Sequence, residues 1–222
     1  DNYIVAIRML AEDVVNLQDV SSEEVKRAEH REKTDIAYFT CNVEHLKIDH
    51  PWQIFKYNDK AIAEDFHLLT HKRKSARISR VDNTLFQKKN IFLEPGATVK
   101  GALINAEKGP VYIGKEAEVM EGAMIRGPVA LGNNSKIKMG AKIYGPATIG
   151  PYSKVGGEFE ESVIFGYTNK AHEGFIGHSV IAEWCNLGAD TNTSNLKNTY
   201  QQVRLYSYPQ GSFAQTGEQF IG

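Results

Sequence analysis

The chain has 222 residues, 41% hydrophobic and 24% charged, with 26 Lys plus Arg against 27 Asp plus Glu and a formal net charge of -1. That composition suits a globular chain with a sizeable core, and the balanced charge argues against a general nucleic-acid binder, which carries a basic surplus. Two cysteines, Cys41 and Cys185, make no disulfide framework, and no apolar run approaches the roughly 18 residues of a membrane span. The expectation is a cytoplasmic protein with neither nucleic-acid nor membrane partners.

In chain order, residues 1–90 hold no glycine and carry 15 basic and 15 acidic side chains, whereas 91–222 hold all 19 glycines with 11 basic and 12 acidic. So abrupt a step predicts two kinds of structure, a small α/β segment over 1–90 and a different architecture over 91–222. Within the first part, Ser21-Ser22-Glu23-Glu24 is a capping-box pattern that predicts a charged helix through about Glu32. A strand-like Ile36-Ala37-Tyr38-Phe39 follows. Pro51 suits a first helical position ahead of Trp52 to Phe55. Asn58-Asp59 then predicts a cap for a helix whose Ile62, Phe66 and Leu69 share one face. The basic run Lys72-Arg73-Lys74, Arg77, Arg80 has two readings: a phosphate site, or a solvated helix end favoured by the helix dipole. The second is the simpler.

From residue 113 the pattern changes. Ile113, Val119, Ile125, Leu131, Ile137, Ile143, Ile149 and Val155 recur every six residues. Four residues after each stand Ala117, Ala123, Val129, Ser135, Ala141, Ala147, Ser153 and Phe159, mostly small. A helix repeats at 3.6 and a half-buried strand at 2, so a sustained six excludes both. Six is the hexapeptide period of a parallel β-helix: three hexads make one triangular coil, the aliphatic residue points inward, and the residue four later fits a corner only if small. The period breaks at Gly156-Gly157 and resumes out of phase at Ile176 and Leu187, which predicts loops inserted over 156–198, where such scaffolds place function. That stretch holds Lys170-Ala171-His172 and the polar run Asn186 to Asn198. A histidine is the side chain suited to taking a proton from an attacking amine near neutral pH, which makes His172 the candidate base. Phe220-Ile221-Gly222 reads as the opening of another coil, and no polar cap for an exposed core end stands out, so the chain is expected to be a piece of a longer protein.

The residues Lys170-Ala171-His172, Phe175-Ile176-Gly177, Asn186-Leu187-Gly188-Ala189, Thr191 and Asn195 resemble the acetyltransferase domain of the bifunctional N-acetylglucosamine-1-phosphate uridyltransferase / glucosamine-1-phosphate N-acetyltransferase family. The runs GPVYIG, KMGAKIYG and NLGADTNTSNLKN are similar to its Bacteroidetes-type members, and Pro51-Trp52 through Asp65-Phe66 looks like the end of that family's nucleotidyltransferase domain. The resemblance implies a left-handed β-helix that forms homotrimers with shared active sites, acting on glucosamine-1-phosphate with acetyl-CoA. It implies His172 as general base, Phe175, Asn186 and Asn195 as substrate contacts and Ala189 as a backbone contact to acetyl-CoA. For the sugar phosphate, Lys170 is the nearest cation, with Arg126 on a coil beneath. Mg2+ would serve only the nucleotidyltransferase half, whose phosphate loop is not in this sequence, and the acetyltransferase site needs no metal. This chain departs from the family where its phosphate-side arginine and lysine would stand, near Tyr144 and Ser162, and Phe175 replaces a tyrosine. Two other readings stand beside it: a non-catalytic β-helix that assembles or regulates a sugar nucleotidyltransferase, and a zinc hydratase using His172, His178 and Cys185. The hydratase lacks a recognisable ligand spacing.

Overall fold

In a computed structural model, which describes residues 46–193 and 195–222, the six-residue spacing becomes short parallel strands stacked on three faces. The first face runs Thr84–Phe86, Leu103–Asn105, Met124–Arg126, Lys142–Tyr144, Glu158–Glu160 and Phe175–Gly177. The second runs Ile91–Leu93, Val111–Ile113, Val129–Leu131, Ala147–Ile149, Val163–Ile164 and Val180–Ile181. Thr98–Val99, Glu118–Val119, Lys136–Ile137, Lys154–Val155 and Asn169–Lys170 form the third. Within these three faces each strand pairs with strands a full coil away, never with its sequence neighbour, whereas Arg204–Ser207 and Ser212–Gln215 pair antiparallel as a hairpin. The result is a left-handed parallel β-helix of about five turns. The helix expected over Ser21–Glu32 and the strand at Ile36–Phe39 lie outside the described residues.

The inward aliphatics stack on their equivalents: Ile125 on Ile143, Val119 on Ile137, Leu131 on Ile149. All six are at most 2% exposed. Every corner residue from Ala117 to Phe159 is likewise buried. The two serines among them satisfy their hydroxyls on backbone; Ser153 Oγ donates to Phe165 O at 2.9 Å and Ser135 Oγ to Gly132 O.

The phase break has a definite geometry. Ile125 pairs with Ile143, eighteen residues on, but Ile143 pairs with Phe159, sixteen on, and Phe159 with Ile176, seventeen on. From Val155 to Phe159 the chain reaches the first face in four residues, where Ile137 to Ile143 takes six. Where the insertions expected over 156–198 begin, the chain has instead a deletion, closed by Gly157 at φ +68°. A Cβ at Gly156 would stand 2.2 Å from Ala171 O, so the rung above presses directly on the shortened one. Phe159, fully buried, takes the inward place between Ile143 and Ile176.

Two helices, α1 (Trp52–Lys56) and α2 (Asn58–Thr70), follow Pro51, which stands at the N-cap of α1. They pack on the second face, α2 on Ala147–Ile149 and α1 on Val180–Ile181. Asn58 is not a cap: Tyr57 holds that position without a side-chain bond. Instead Asn58 Oδ1 accepts from Thr148 Oγ1 at 2.7 Å, tying α2 to the coils. Of the expected apolar stripe Ile62 is buried, Phe66 half-buried and Leu69 exposed. The compact unit that contains the coils begins at Lys47, and residues 1–46 form the other. The compositional step at residue 90 therefore falls inside one unit.

The N-terminal edge of the solenoid is covered by residues 75–85. Ile78 is 5% exposed and joins the core, and Ala76 N–H donates to Leu93 O at 2.8 Å. Asn83 accepts from Ala102 N–H at 2.9 Å and donates to Ser79 O and Val99 O. Nearby, Glu94 takes Arg73 Nη2 at 2.7 Å and the Tyr112 hydroxyl at 2.7 Å. The Arg73 hydrogen bond holds the Glu94 carboxyl below its ordinary value, and burial with Glu94 pushes Tyr112 up to about 12. Because Glu94 is depressed on folding, its stabilisation is present above the unfolded carboxylate value of about 4.3 and is lost as pH falls through the folded value. Urea titrations between pH 5 and 2 should show Glu94→Gln losing less stability on acidification than wild type. Equal slopes would separate Glu94 from the acid response. No helix among the described residues is long and apolar enough to cross a membrane.

Candidate active site

Where the third face turns into the first, the shortened rung at Gly156-Gly157 lies beneath a full-length one. Lys170 and Ile176 are six residues apart, so the turn Ala171 to Gly174 has two more residues than the turn it rests on and must project outward. His172 sits on that overhang. Its side chain is exposed and it makes no hydrogen bond to another side chain among the described residues.

The turn is pinned from inside. Lys170 occupies the inward position that Val119, Ile137 and Val155 hold in lower coils and is 2% exposed. Its Nζ donates to Gly156 O at 2.9 Å, His172 O at 2.7 Å and Gly174 O at 2.9 Å. Those carbonyls turn inward beside two left-handed glycines, Gly157 and Gly174 at φ +68° and +116°, a conformation only glycine adopts readily. Three donors on three acceptors saturate the ammonium. Desolvation lowers its pKa, with Glu173 and then Asp190 opposing. Lys170 therefore has no donor left for a sugar phosphate; it holds the ledge, which corrects the expectation that it contacts substrate.

The other expected residues divide by corner. Asn169 bridges Asn186, a coil spacing of seventeen that places Ala189 above His172; Leu187 N–H to Asn169 O and Asp190 N–H to Glu173 O, at 2.9 and 3.1 Å, fix that stacking. Asn186 Oδ1 accepts from Asn169 Nδ2 at 2.8 Å, one rung above the other. His172, Ala189 and Asn186 thus share the ledge side. Phe175 opens the next strand, half-buried, its N–H donating to Asn192 Oδ1 at 2.7 Å; its ring lies over Gly177, whose added Cβ would meet Phe175 Cζ at 2.5 Å. Arg126 is exposed on the first face, three rungs below Gly177 through Tyr144 and Glu160. At ~4.8 Å per rung that is about 14 Å. The fold does not bring Arg126 to His172 within one chain.

Asn195 stands at the other end of the strand Phe175–Gly177, in a constellation that sequence reasoning missed. Its Nδ2 donates to His178 Nδ1 at 2.8 Å, and His178 Nε2 meets Glu161 Oε2 at 3.2 Å. Nδ1 accepting from an amide leaves the proton on Nε2, so both ring nitrogens are occupied and His178 offers no free base. The ring packs edge-on to Phe55 at 5.9 Å and against Phe220 at 5.2 Å. Glu161, His178 and Asn195 are seventeen residues apart, one coil each; that spacing was the available signal. Asn195 is thus engaged away from His172. Thr193 and Asn192 bring side-chain oxygens to the Gly177 and Phe175 amides, so part of the polar run covers the upper strand edge. Ile221 and Gly222 donate to Asn195 O and His178 O at 3.1 and 3.0 Å. Among the described residues no three His, Cys, Asp or Glu side chains gather into a metal site; His172 and His178 lie at opposite ends of one strand.

One family model matches the N-terminal part of the chain. Residues 4–74 match the model of a sugar nucleotidyl transferase family. The match ends before the coils and takes in α1 and α2. It supports a place in the nucleotidyltransferase superfamily for that part of the chain, and with the β-helix it suits a transferase. No curated protein matches the chain.

Proposed function

We propose that the β-helix acetylates the amine of glucosamine-1-phosphate with acetyl-CoA, in a cytoplasmic protein whose upstream part transfers a nucleotide to the sugar phosphate. The observation that carries this reading is the ledge: an exposed imidazole, without a side-chain partner among the described residues, on a turn whose backbone is clamped by the buried Lys170 ammonium. His172 takes the amine proton as nitrogen attacks the thioester carbonyl; the C–N bond forms, the C–S bond breaks and coenzyme A leaves as the thiol. Ala189, above His172, and the Asn186 amide supply donors on the same side for the developing oxyanion. Homotrimer formation would set a neighbouring copy's coils against this ledge and supply the phosphate-side cations that Lys170 and Arg126 do not. Mg2+ belongs to the nucleotidyl-transfer half.

A second reading, a β-helix that only assembles the upstream transferase, draws on the engagement of Asn195 with His178 and of Lys170 with the backbone. The test is release of free thiol from acetyl-CoA by the full-length protein given glucosamine-1-phosphate, beside a sedimentation measurement of oligomeric state. Turnover by a trimer supports acetyl transfer. A trimer inert towards every amino-sugar phosphate supports assembly alone.

A further inference from the structure

The cations that follow α2 line a groove of about 890 Å³ between residues 73–80 and the 3-10 turn Lys88–Asn90. Its lining includes Arg73, Lys74, Arg77, Arg80, Lys88 and Lys89 and, among the described residues, no Asp or Glu. Arg73 is already engaged: Nη1 donates to Leu69 O at 2.8 Å at the end of α2, and Nη2 to Glu94. The helix-end reading therefore accounts for Arg73. It does not account for Arg77, Arg80, Lys88 and Lys89, which lie well past Thr70, where α2 ends. None of these four, nor Lys74, has a carboxylate partner among the described residues.

Both walls are fixed. Ala76 and Leu93 are tied by Ala76 N–H to Leu93 O at 2.8 Å and Leu93 N–H to Ser75 Oγ at 2.9 Å, and Ile78 anchors the segment in the core. On the other side Asn90 Nδ2 donates to Ala106 O at 3.1 Å, and Gln87 starts the turn at φ +54°. Five cations without a carboxylate partner among the described residues, held around a concavity in a chain of net charge -1, repel one another, and low-dielectric walls focus their field. An anion that spans them removes that repulsion.

We propose that this groove binds an anion carrying two or more linked phosphates. One phosphate engages two or three cations through charge-assisted hydrogen bonds, fewer than the groove presents. Of the two aromatic rings in the lining, Phe66 and Phe92, the second is already covered, with Arg73 over it at 5.4 Å and Tyr112 stacked on it at 6.0 Å, so the cations dominate the chemistry of the groove. Affinity should follow the phosphate count. The groove lies on coils well below His172, so the proposal stands or falls apart from acetyl transfer.

The test is calorimetric titration of the full chain with inorganic phosphate, pyrophosphate, tripolyphosphate and ATP at about 0.15 M salt. The expected result is one site, affinity rising from phosphate to tripolyphosphate, and ATP no tighter than tripolyphosphate. The pairs Arg77→Ala/Arg80→Ala and Lys88→Ala/Lys89→Ala should each weaken tripolyphosphate roughly tenfold or more. Lys115→Ala/Lys154→Ala, on exposed coil positions, should not. In wild type, tripolyphosphate should protect Lys88 and Lys89 from amine acetylation read by mass spectrometry, which decides the matter even if the variants misfold. No saturable binding, equal loss in the control pair or absence of protection would overturn the proposal. So would heparin binding that tripolyphosphate does not displace, since that marks an extended polyanion surface.

Discussion

His172→Ala should lower kcat for thiol release roughly 10²- to 10⁴-fold, the range typical of a positioned general base, with KM for acetyl-CoA nearly unchanged. The side chain is exposed and its removal leaves no buried group without a partner, so the denaturation midpoint should stay where it is. That combination separates chemistry from folding. His172→Gln keeps a polar side chain but cannot accept the proton and should be as slow as alanine. His178→Gln supplies the contrast: His178 bonds through both nitrogens to Asn195 and Glu161, so its loss should reduce stability more than the pH-independent rate. Undiminished turnover in His172→Ala would remove the base assignment.

Lys170→Met should be the most destabilising single substitution on the ledge, by about 2–4 kcal/mol. It leaves the inward carbonyls of Gly156 and His172 without a donor, while Gly174 O keeps the Glu158 N–H at 3.1 Å, and each buried unsatisfied group costs about 1–3 kcal/mol. The aliphatic stem is matched by methionine, so lost packing adds little. Chemical denaturation gives the magnitude. Faster hydrogen exchange across 172–175, with 113–149 unchanged, would place the loss at the ledge. The pH response has a defined sign. Burial lowers the Lys170 pKa in the folded state, so the cost of burying its charge is fully present below the folded value and is relieved as pH rises towards the unfolded value of about 10.4. Wild type should gain stability relative to Lys170→Met across that alkaline window. A parallel response of the two proteins would contradict the assignment of a buried, charged ammonium.

The coils were legible because each hexad repeats one local solution: an aliphatic residue inward, a small one at the corner. Ile113 through Val155 and their partners from Ala117 onward all occupy the interior as the period requires. What followed Val155 was legible only as a loss of phase. A deletion and an insertion shift the register alike, and only the pairing of Ile143 with Phe159 tells them apart. Lys170 was unreadable for a related reason. A lysine amid polar residues ordinarily faces water, and nothing local announces that one carbonyl of the rung below, at Gly156, and two of its own turn, at His172 and Gly174, are aimed inward to receive it. His178 escaped notice because its partners Glu161 and Asn195 are distant in sequence; they become neighbours once the coil length of seventeen is known. Asn58 shows the opposite error, where a residue suited to capping is used for a tertiary bond to Thr148.

The ledge owes its existence to length. His172 protrudes because the floor beneath it is two residues short, and lengthening that floor by two would bring the lower turn flush with the upper and fill the recess from below without altering any residue of the ledge itself. Shortening a different rung would open an alcove on another corner of the prism. In a scaffold of this kind the place where a small molecule can rest is set by counting, and chemical identity is then supplied by whichever side chain happens to stand over the gap.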